Sequence, residues 1–300
     1  MPGICIISLD TELAWGTNQE DLPGLAGVFD EEPRIIARLI ELLDRYEVPA
    51  TWAVVGRLLL EPADEPRLTR TPARWYSAPY LLDWLGRARV RHEIGTHTFT
   101  HVHTRDPAVT REVWTAELAA AARLSERLGI PMRSIVFPRN QVAYLDTLPD
   151  FGIIAYRGVE RNWYGNRLGP LHFLDRALGT PAPTYAPHSL REGERLVNLP
   201  ASQFLVGGNG PRRLIPVSSR VRQARLGLDR AARREEIYHL WFHPFNLGGD
   251  PRMFVAMERI LQEIARRRDR GEVTVMTMAQ TAERILAAAA VRGPGAGARP

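Results

Sequence analysis

Two histidines, His97 and His101, lie four positions apart in a stretch that holds four histidines between residues 92 and 103. If the segment is helical, side chains at this spacing share one face, so both imidazoles can bind a single divalent cation. Gly95 and Thr96 precede the pair and are typical of a strand that ends in a turn before a helix. The spacing alone is a weak signal, because lone histidines are more often satisfied core or surface residues. The pair therefore needs a further ligand from elsewhere in the chain.

Two carboxylates, Asp10 and Glu12, follow a mostly apolar run at residues 3–9 that predicts a buried central strand. Their spacing alone fits two solvated loop acids as well as a catalytic pair. Beside a metal ion the two can divide the work: one binds the cation, and the other takes a proton from a water molecule.

Two further residues end predicted strands and can take part in acid–base chemistry. Arg139 follows Pro138, and it is either a surface or structural arginine or the residue that holds a carboxylate ionised by a bidentate contact. His243 ends the predicted strand at residues 237–242. A strand-end histidine is more often structural, but together with the carboxylates and the histidine pair described above, His243 is a candidate general acid.

Two more residues near these strand ends receive other interpretations. His239, four residues before His243, is interpreted as structural, because four residues of strand span about 13 Å. Arg157 follows the predicted strand at residues 152–156 and begins a stretch whose aromatic and arginine side chains are expected to shape specificity. We therefore take Arg157 as a substrate-binding candidate.

Strand and helix patterns alternate along most of the chain, which predicts parallel strands with helical crossovers in one α/β domain. Because the polar residues gather at the carboxyl ends of the predicted strands, they can meet at the rim of a parallel barrel or at the switch point of an open sheet. No Gly-x-Gly-x-x-Gly follows the first strand, which weakens dinucleotide binding.

Four segments carry little strand or helix pattern. Residues 18–29 are loop-like, residues 62–74 predict an exposed insertion, and residues 161–189 have no clear period although they are long for a loop. Residues 291–300 are rich in Gly, Pro, Ala and Arg and predict a disordered tail after a catalytic domain at residues 1–290. By contrast, residues 141–148 are expected to be helical.

The composition excludes several classes of protein. All 39 basic residues counted as Lys or Arg are arginine, which excludes Schiff-base lysines and P-loop lysines. The single cysteine, Cys5, cannot form an internal disulfide. No apolar run is long enough for a membrane span, and no basic leader begins the chain, so the expected location is the cytoplasm. An arginine-rich stretch at residues 220–234 is interpreted as a solvated helix face, with an anionic surface or phosphate-bearing substrate as the alternative.

Four motifs in order resemble the polysaccharide deacetylase superfamily, also called NodB-homology or carbohydrate esterase family 4. The resemblance covers most of residues 3–286, with a further similarity to the family's second strand at residues 50–56. The motifs are Ser8-Leu9-Asp10-Thr11-Glu12, His97-Thr98-Phe99-Thr100-His101, Phe137-Pro138-Arg139-Asn140-Gln141 and Trp241-Phe242-His243-Pro244. Each motif is weak alone, but their order at strand ends makes the signal strong.

This resemblance implies a single-domain, distorted (β/α) barrel of the (β/α)7 type and metal-dependent hydrolysis of an N-acetyl group from an amino sugar. The implied cofactor is one divalent ion, with Zn²⁺ preferred and Co²⁺, Ni²⁺, Fe²⁺ or Mn²⁺ as alternatives. The roles implied are Asp10 as general base, His97 and His101 as metal ligands, Arg139 as the partner of Asp10, His243 as general acid, a backbone N–H near Asn140 for the oxyanion, and Trp241 as a wall of the pocket.

The chain departs from the family pattern at three points. Thr11 stands where the second aspartate is usual, so Glu12, one position later, is taken as the metal carboxylate. The acid that tunes the histidine has no clean match, and Asp175 is preferred over Glu160 for it. Arg139 follows its proline rather than preceding it.

Three functional hypotheses follow. The first is a cytoplasmic, metal-dependent deacetylase of a nucleotide- or lipid-linked sugar, with no nucleic-acid partner; peripheral membrane contact and the oligomeric state stay open. The second is a deformylase or cyclic-amide hydrolase on the same barrel, since the same water attack serves any amide carbonyl. The third is a non-catalytic barrel that binds anionic glycan or nucleic acid through residues 220–234.

Overall fold

The computed structural model describes residues 1–18, 20–61, 71–160 and 169–292. The strands are β1 (Gly3–Thr11), β2 (Thr51–Val54), β3 (Glu93–Thr96), β4 (Ser134–Ile135), β5 (Ala155–Tyr156), β6 (Arg191–Glu192), β7 (Leu196–Asn198), β8 (Gln203–Phe204), β9 (Ile237–Phe242) and β10 (Val273–Val275). The helices are α1 (Leu22–Arg45), α2 (Tyr80–Arg87), α3 (Arg111–Leu128), α4 (Gly169–Leu178), α5 (Val217–Arg234), α6 (Arg252–Asp269) and α7 (Met278–Arg292).

The sheet is almost wholly parallel and has β1 near its centre. Its order is β6-β7-β5-β4-β3-β2-β1-β9-β8, with β10 also paired to β1, and only β6 and β7 run antiparallel. Helical crossovers between parallel strands account for the alternation seen in the sequence.

The two ends of this sheet are joined by one short stretch of chain. β7 lies next to the end strand β6 on one side and β8 is the end strand on the other, yet only residues 199–202 separate β7 from β8. The carbonyl of Leu199 accepts from the N–H of Gly158 beside β5, and the N–H of Ser202 donates to His239 on β9. The sheet therefore curls on itself with helices outside. The predicted single-domain, distorted (β/α) barrel is confirmed, and the open doubly wound alternative is wrong.

Alternate side chains of β1 build two separate apolar layers, as expected for a strand buried on both faces. Cys5, Ile7 and Leu9 pack with residues of α1, α5 and α6 outside the sheet. Ile4 and Ile6 face the interior and contact a cluster that includes residues of β2, β5 and β7. Ser8 and Asp10 continue the inward face, so the interior changes from apolar to polar toward the carboxyl end of the strand.

Two local predictions were wrong, each for a physical reason, and a third segment contains an element that the sequence had left unassigned. α1 begins at Leu22, inside the segment expected to be a loop. Glycines hide the pattern there, but Leu22 and Phe29 are buried. α4 occupies residues 169–178 of the stretch without a clear period. The helix expected at residues 141–148 is instead the 3-10 helix Leu145–Phe151, which contains Pro149, a residue without a backbone donor.

The two remaining predictions concern segments that are only partly covered. Of the predicted insertion at residues 62–74, residues 62–70 lie outside the described residues. The part that follows forms the 3-10 helix Ala73–Trp75, in which Trp75 is buried and donates to Asp30 over 2.7 Å. The predicted tail lies outside the described residues from 293 onward.

The arginine-rich helix α5 does not present all its arginines to solvent. Arg220 is buried and donates to the carbonyls of Val206, Gly207, Arg212 and Ile215. Arg222 and Arg225 point outward. Arg220 therefore braces the turn before α5 and is not part of an exposed cationic surface. None of the helices that the structure describes is long and apolar enough to cross a bilayer.

Candidate active site

The histidine pair lies in a loop, so the expected helix at this position was wrong. β3 ends at Thr96, and the backbone then takes the left-handed conformation at Thr98 and at His101, with φ of 64° and 61°. This conformation is costly for residues other than glycine and is commonly retained at functional sites. The turn still brings the imidazoles of His97 and His101 together, with ring centroids 5.0 Å apart.

The histidine loop, residues 97–101, is held by neighbouring elements. The carboxylate of Glu117 on α3 accepts from the N–H groups of Phe99 (3.1 Å) and Thr100 (2.8 Å) and from the Thr100 hydroxyl (2.7 Å). On its other side, the N–H of Gly56 donates to the carbonyl of Thr98 over 2.9 Å. These contacts satisfy the backbone groups of the turn and stabilise its left-handed residues.

A glutamate and the two histidines converge on one point. Oε2 of Glu12 lies 3.0 Å from Nε2 of His97 and 2.9 Å from Nε2 of His101. All three side chains are buried, and the three candidate ligand atoms lie within 4.8 Å of one another. Glu12, His97 and His101 are thus brought together as the sequence predicts.

The hydrogen-bonding state of this cluster fits a bound cation. Nδ1 of His97 lies 2.7 Å from the carbonyl of Val136, which can only accept, so Nδ1 carries the hydrogen and a neutral ring has its lone pair on Nε2. That lone pair faces the Glu12 carboxylate, which is also an acceptor. Nε2 of His101, although 2.9 Å from Glu12, is not aligned for a hydrogen bond. Acceptor atoms that face each other in a buried space are stabilised by a cation between them, so these residues fit a divalent ion.

The glutamate reaches this position because Gly16 leaves room for it. Glu12 directly precedes the 3-10 helix Leu13–Gly16, and its carboxylate folds back over that turn. A Cβ on Gly16 would lie 2.2 Å from Oε1 of Glu12. The longer side chain at the position of the metal carboxylate is therefore matched to a glycine four residues later.

Asp10 is paired with Arg157, and the predicted contact with Arg139 was wrong. Nη2 of Arg157 donates to Oδ2 of Asp10 over 2.7 Å, and Nη1 donates to Oδ1. Burial by itself raises the pKa of Asp10, but the Arg157 guanidinium outweighs it and holds that pKa below its usual range. Arg139 instead donates to Asn18 over 2.8 Å at an exposed position, because the left-handed backbone at residue 139 turns its side chain elsewhere.

Arg157 was also predicted to bind substrate, which its surroundings do not allow. The side chain is fully buried, with its guanidinium 4.1 Å from the centre of the Trp241 ring and its Nη2 3.0 Å from Oδ1 of Asn140. The N–H of Asn140, expected to bind an oxyanion, already donates to the carbonyl of Phe137 over 2.9 Å. Asn140 and Trp241 therefore contact the Asp10–Arg157 pair, and Trp241 keeps a partly exposed face.

His243 lies on the other side of Glu12. Its Nε2 is 3.3 Å from Oε1 of Glu12 and 3.9 Å from Oδ2 of Asp10. Burial by itself lowers the pKa of His243, but the two carboxylates outweigh it and raise the pKa to about 9. At neutral pH the ring is therefore protonated and can donate a proton.

The acid expected to tune His243 is not where it was predicted. Nδ1 of His243 lies 3.3 Å from Oδ1 of Asn246, which also accepts from the His243 N–H over 3.0 Å. Asp175 contacts Thr180 and Gln223 between α4 and α5, and Glu160 pairs with Arg176. The tuning residue at Nδ1 is thus a neutral amide.

Sequence reasoning missed three supporting residues, Gly16, Glu117 and Asn246. Asn246 had a visible signal, since it follows His243 and Pro244 at the spacing of a capping residue. Glu117 carried no such signal because it acts through a contact with another element, and Gly16 carried none because its role depends on how the Glu12 side chain folds back over the turn.

Comparison with known proteins places the chain by family and by fold. A family model described as polysaccharide deacetylase matches residues 21–147, which include His97 and His101. No curated protein sequence matches the chain at a significant level. A Mycobacterium smegmatis structure classed as a polysaccharide deacetylase has a TM-score of 0.66 at 18% identity, covering 99% of this chain and 94% of its own.

Two other solved structures share the fold. Puue allantoinase has a TM-score of 0.61 at 10% identity, covering 93% of this chain and 89% of its own. The α-amylase AmyC from Thermotoga maritima has a TM-score of 0.58 at 10% identity, covering 94% and 75%. Residues 21–147 match the polysaccharide deacetylase family, which is the family that the motifs of the chain indicated. At the general level this family supports a carbohydrate deacetylase.

Proposed function

We propose that the protein is a metal-dependent hydrolase that removes an N-acetyl group from an amino-sugar substrate. The observation that carries this proposal is the convergence of Glu12, His97 and His101 on one point beside the buried carboxylate of Asp10 and the imidazole of His243. The arrangement offers a cation site, a base and an acid within one small space, as amide hydrolysis requires.

Glu12, His97 and His101 would hold the divalent ion. Two imidazoles and one carboxylate are a ligand set that Zn²⁺ accepts with a position left open, and Co²⁺, Ni²⁺, Fe²⁺ and Mn²⁺ accept similar donors. When bound, the ion supplies positive charge that polarises an amide carbonyl and makes a water molecule more acidic. Val136 fixes His97 through Nδ1, which orients Nε2 toward the cluster.

Asp10 would act as the general base. Arg157 keeps its carboxylate ionised and binds both oxygens, so one lone pair of a fixed carboxylate can accept a proton from the attacking water. The new C–O bond forms as that proton moves to Asp10. Because Arg157 is itself buried, the orientation of Asp10 is set before substrate arrives.

His243 would act as the general acid. Its imidazolium lies beside Glu12 and Asp10, and Nε2 can donate its proton to the amine nitrogen as the C–N bond breaks. The products are acetate and the free amino sugar. The indole of Trp241 lies between Phe204, with ring centroids 4.3 Å apart, and the Arg157 guanidinium, and its partly exposed edge would form a wall of the pocket for a sugar ring.

The test is acetate release from N-acetylated sugars, including nucleotide- and lipid-linked ones, with Zn²⁺ or Co²⁺ added. We expect Asp10→Asn and His97→Ala to lose at least about 100-fold in kcat/KM. His188→Ala is the control, since His188 is exposed and lies outside the cluster, and it should retain activity. Full activity in Asp10→Asn and His97→Ala would rule the assignment out.

A second amide substrate is tested in the same assay. One structure with the same fold is named an allantoinase, and water attack of this kind serves a formyl or ring amide equally well. Release of formate, or opening of a cyclic amide, at a higher kcat/KM than acetate release would move the assignment to that substrate class. Purified protein with no bound metal and no hydrolysis of any of the three would favour the non-catalytic hypothesis.

A further inference from the structure

A polar layer separates the apolar floor of the barrel from the candidate active site. It consists of Ser8 on β1 and His239 on β9, both fully buried. Below it lie Ile4 and Ile6, which belong to the apolar interior cluster. Above it lies Asp10. Burying an imidazole and a hydroxyl costs free energy unless both are hydrogen-bonded, so the partners of this layer are informative.

All hydrogen bonds of this layer are donated in the same sense, from Ser8 to His239 and from His239 to the carbonyl of Leu199. Nδ1 of His239 lies 3.1 Å from the carbonyl of Leu199, so this nitrogen carries the hydrogen. Burial lowers the pKa of His239 to about 3, which makes the ring neutral and leaves Nε2 as an acceptor. The hydroxyl of Ser8 lies 2.8 Å from Nε2 and therefore donates to it.

The series of hydrogen bonds continues from Ser8 to Arg157. Because the Ser8 hydrogen is used by His239, its oxygen is free to accept, and Nη1 of Arg157 donates to it over 3.2 Å. The same Nη1 also donates to Oδ1 of Asp10. The Ser8 oxygen and the Asp10 carboxylate therefore share one guanidinium nitrogen, and the orientation of Ser8 is set by His239.

Both terminal nitrogens of the Arg157 guanidinium are hydrogen-bonded, and a ring contact holds its plane. Asp10, Asn140 and Ser8 accept its hydrogens, and its plane lies over Trp241. Without Ser8 the guanidinium can tilt about the Asp10 contact, which displaces the carboxylate it holds. A misplaced catalytic group lowers turnover more than it lowers ground-state binding.

We propose that Ser8 and His239 are positioning residues that orient Arg157, and through it Asp10, by a one-way hydrogen-bond chain anchored on the Leu199 carbonyl. This role rests on the proposed function of Asp10 as general base. Neither residue touches the reacting atoms in this arrangement, and both act through Arg157.

The first experiment compares kcat and KM in Ser8→Ala and Ser134→Ala. Ser134 is an equally buried serine that donates to Glu93 over 2.6 Å, outside the hydrogen-bond chain. Ser134→Ala loses one buried hydrogen bond and Ser8→Ala loses two, so kcat and KM are compared at a temperature at which both variants are folded. We expect Ser8→Ala to lower kcat by roughly tenfold with KM within about twofold, and Ser134→Ala to leave both near wild type. Equal kcat losses in the two variants would overturn the proposal.

A double-mutant cycle tests whether Ser8 acts through Arg157. In an Arg157→Lys background the guanidinium that Ser8 orients is gone, so Ser8→Ala should cost less than about twofold further in kcat. Multiplication of the two single effects would contradict the proposal. Ser8→Thr and Ser8→Val, a nearly isosteric pair, give a second comparison: only the threonine variant keeps the hydroxyl, and it should be the more active of the two.

NMR spectroscopy tests the hydrogen-bond chain of Ser8 and His239 independently of enzymatic activity. Long-range ¹⁵N–¹H correlation, with His239 assigned by its loss in His239→Gln, reports which ring nitrogen carries the hydrogen. We expect Nδ1–H and an unprotonated Nε2 throughout the range from pH 5 to 8, and an upfield shift of Nε2 to be reduced or lost in Ser8→Ala. The opposite tautomer would overturn the chain. Absence of hydrolysis by wild type with the expected tautomer would count against the proposed function alone.

Discussion

Arg157 and Asp10 form a two-bonded ion pair across the interior of the barrel, although they are 147 positions apart in sequence. Their strands, β5 and β1, are separated in the sheet by β4, β3 and β2. A guanidinium in this geometry fixes both the direction and the ionisation of the carboxylate. Arg157, and not Arg139, is therefore the strand-end arginine that holds the Asp10 carboxylate.

The activities of Arg157 and Arg139 variants test this pairing directly. Arg157→Met should lower kcat/KM by at least about 100-fold, because Asp10 loses its orientation and its pKa rises. Since Asp10 must be ionised to accept a proton, the acid limb of the pH profile should move to higher pH in this variant. Arg139→Met should stay within about threefold of wild type, because its contact with Asn18 is exposed. The reverse order of the two effects in steady-state assays would be incompatible with the observed pairing.

Gly16 and Glu12 should be coupled in metal affinity. A methyl group at residue 16 would collide with the Glu12 carboxylate, so Gly16→Ala should weaken Zn²⁺ binding by roughly 10- to 100-fold. Glu12→Asp shortens the side chain and should recover part of this loss in the double variant. Calorimetric titration of the three variants measures the coupling, and strictly additive losses would show that the close approach has no consequence.

Glu117 should act on the ion site from outside it. Its carboxylate accepts three hydrogen bonds from the histidine loop, and Glu117→Gln removes its charge and turns the oxygen that accepts from the Thr100 hydroxyl into a donor. We expect about tenfold weaker Zn²⁺ binding and a lower melting temperature. Glu126→Gln, an exposed change on the same helix α3, is the control. If both variants bind Zn²⁺ as wild type does, the histidine loop does not depend on Glu117.

The sequence predicted the fold and most of the site because both follow local rules. Apolar strand runs, helix periods and polar strand ends indicated a parallel α/β sheet with Asp10, His97 and His243 at its strand ends. The resemblance to the polysaccharide deacetylase superfamily implied the barrel and the grouping of Glu12 with His97 and His101. The parts of the site that were predicted wrongly depend on backbone conformations that have no signature in the sequence. The left-handed turn at Thr98 and His101 replaced a helix, and the same conformation at Arg139 turned it away from Asp10.

Arg157 and His239 show a second limit of sequence reasoning. Both lie near the carboxyl ends of strands, and nothing in their spacing separates an exposed substrate contact from a fully buried brace. Their roles depend on which face of a curled sheet is interior, and that is set by strand register and closure. The same holds for Asp175, whose partners belong to α4 and α5 rather than to the site.

Glu32 should make stability depend on pH. It is fully buried on α1, neither carboxyl oxygen has a hydrogen-bond partner among the residues that the structure describes, and burial raises its pKa from 4.5 to about 8. The folded state therefore holds a proton that the unfolded state releases above pH 4.5. The free energy of unfolding falls as pH rises from 4.5 to 8, by an amount on the order of 5 kcal/mol from this group.

Chemical denaturation of Glu32→Gln across this range measures the contribution. The variant cannot ionise, so its stability should decline less than that of wild type between pH 4.5 and 8. Glu31→Gln, the exposed neighbour on the same helix, should follow the wild-type curve. Parallel curves for wild type and Glu32→Gln would mean that Glu32 ionises normally in the folded protein.

The most direct measurement is the metal content of the purified protein after equilibrium dialysis against Zn²⁺, for wild type, Glu12→Gln and His101→Ala. We expect one ion per wild-type chain and at least about 100-fold weaker binding in each variant, because each removes one of three converging ligands. Wild-type protein that binds no ion, or variants that bind it as tightly as wild type, would contradict a metal centre formed by Glu12, His97 and His101.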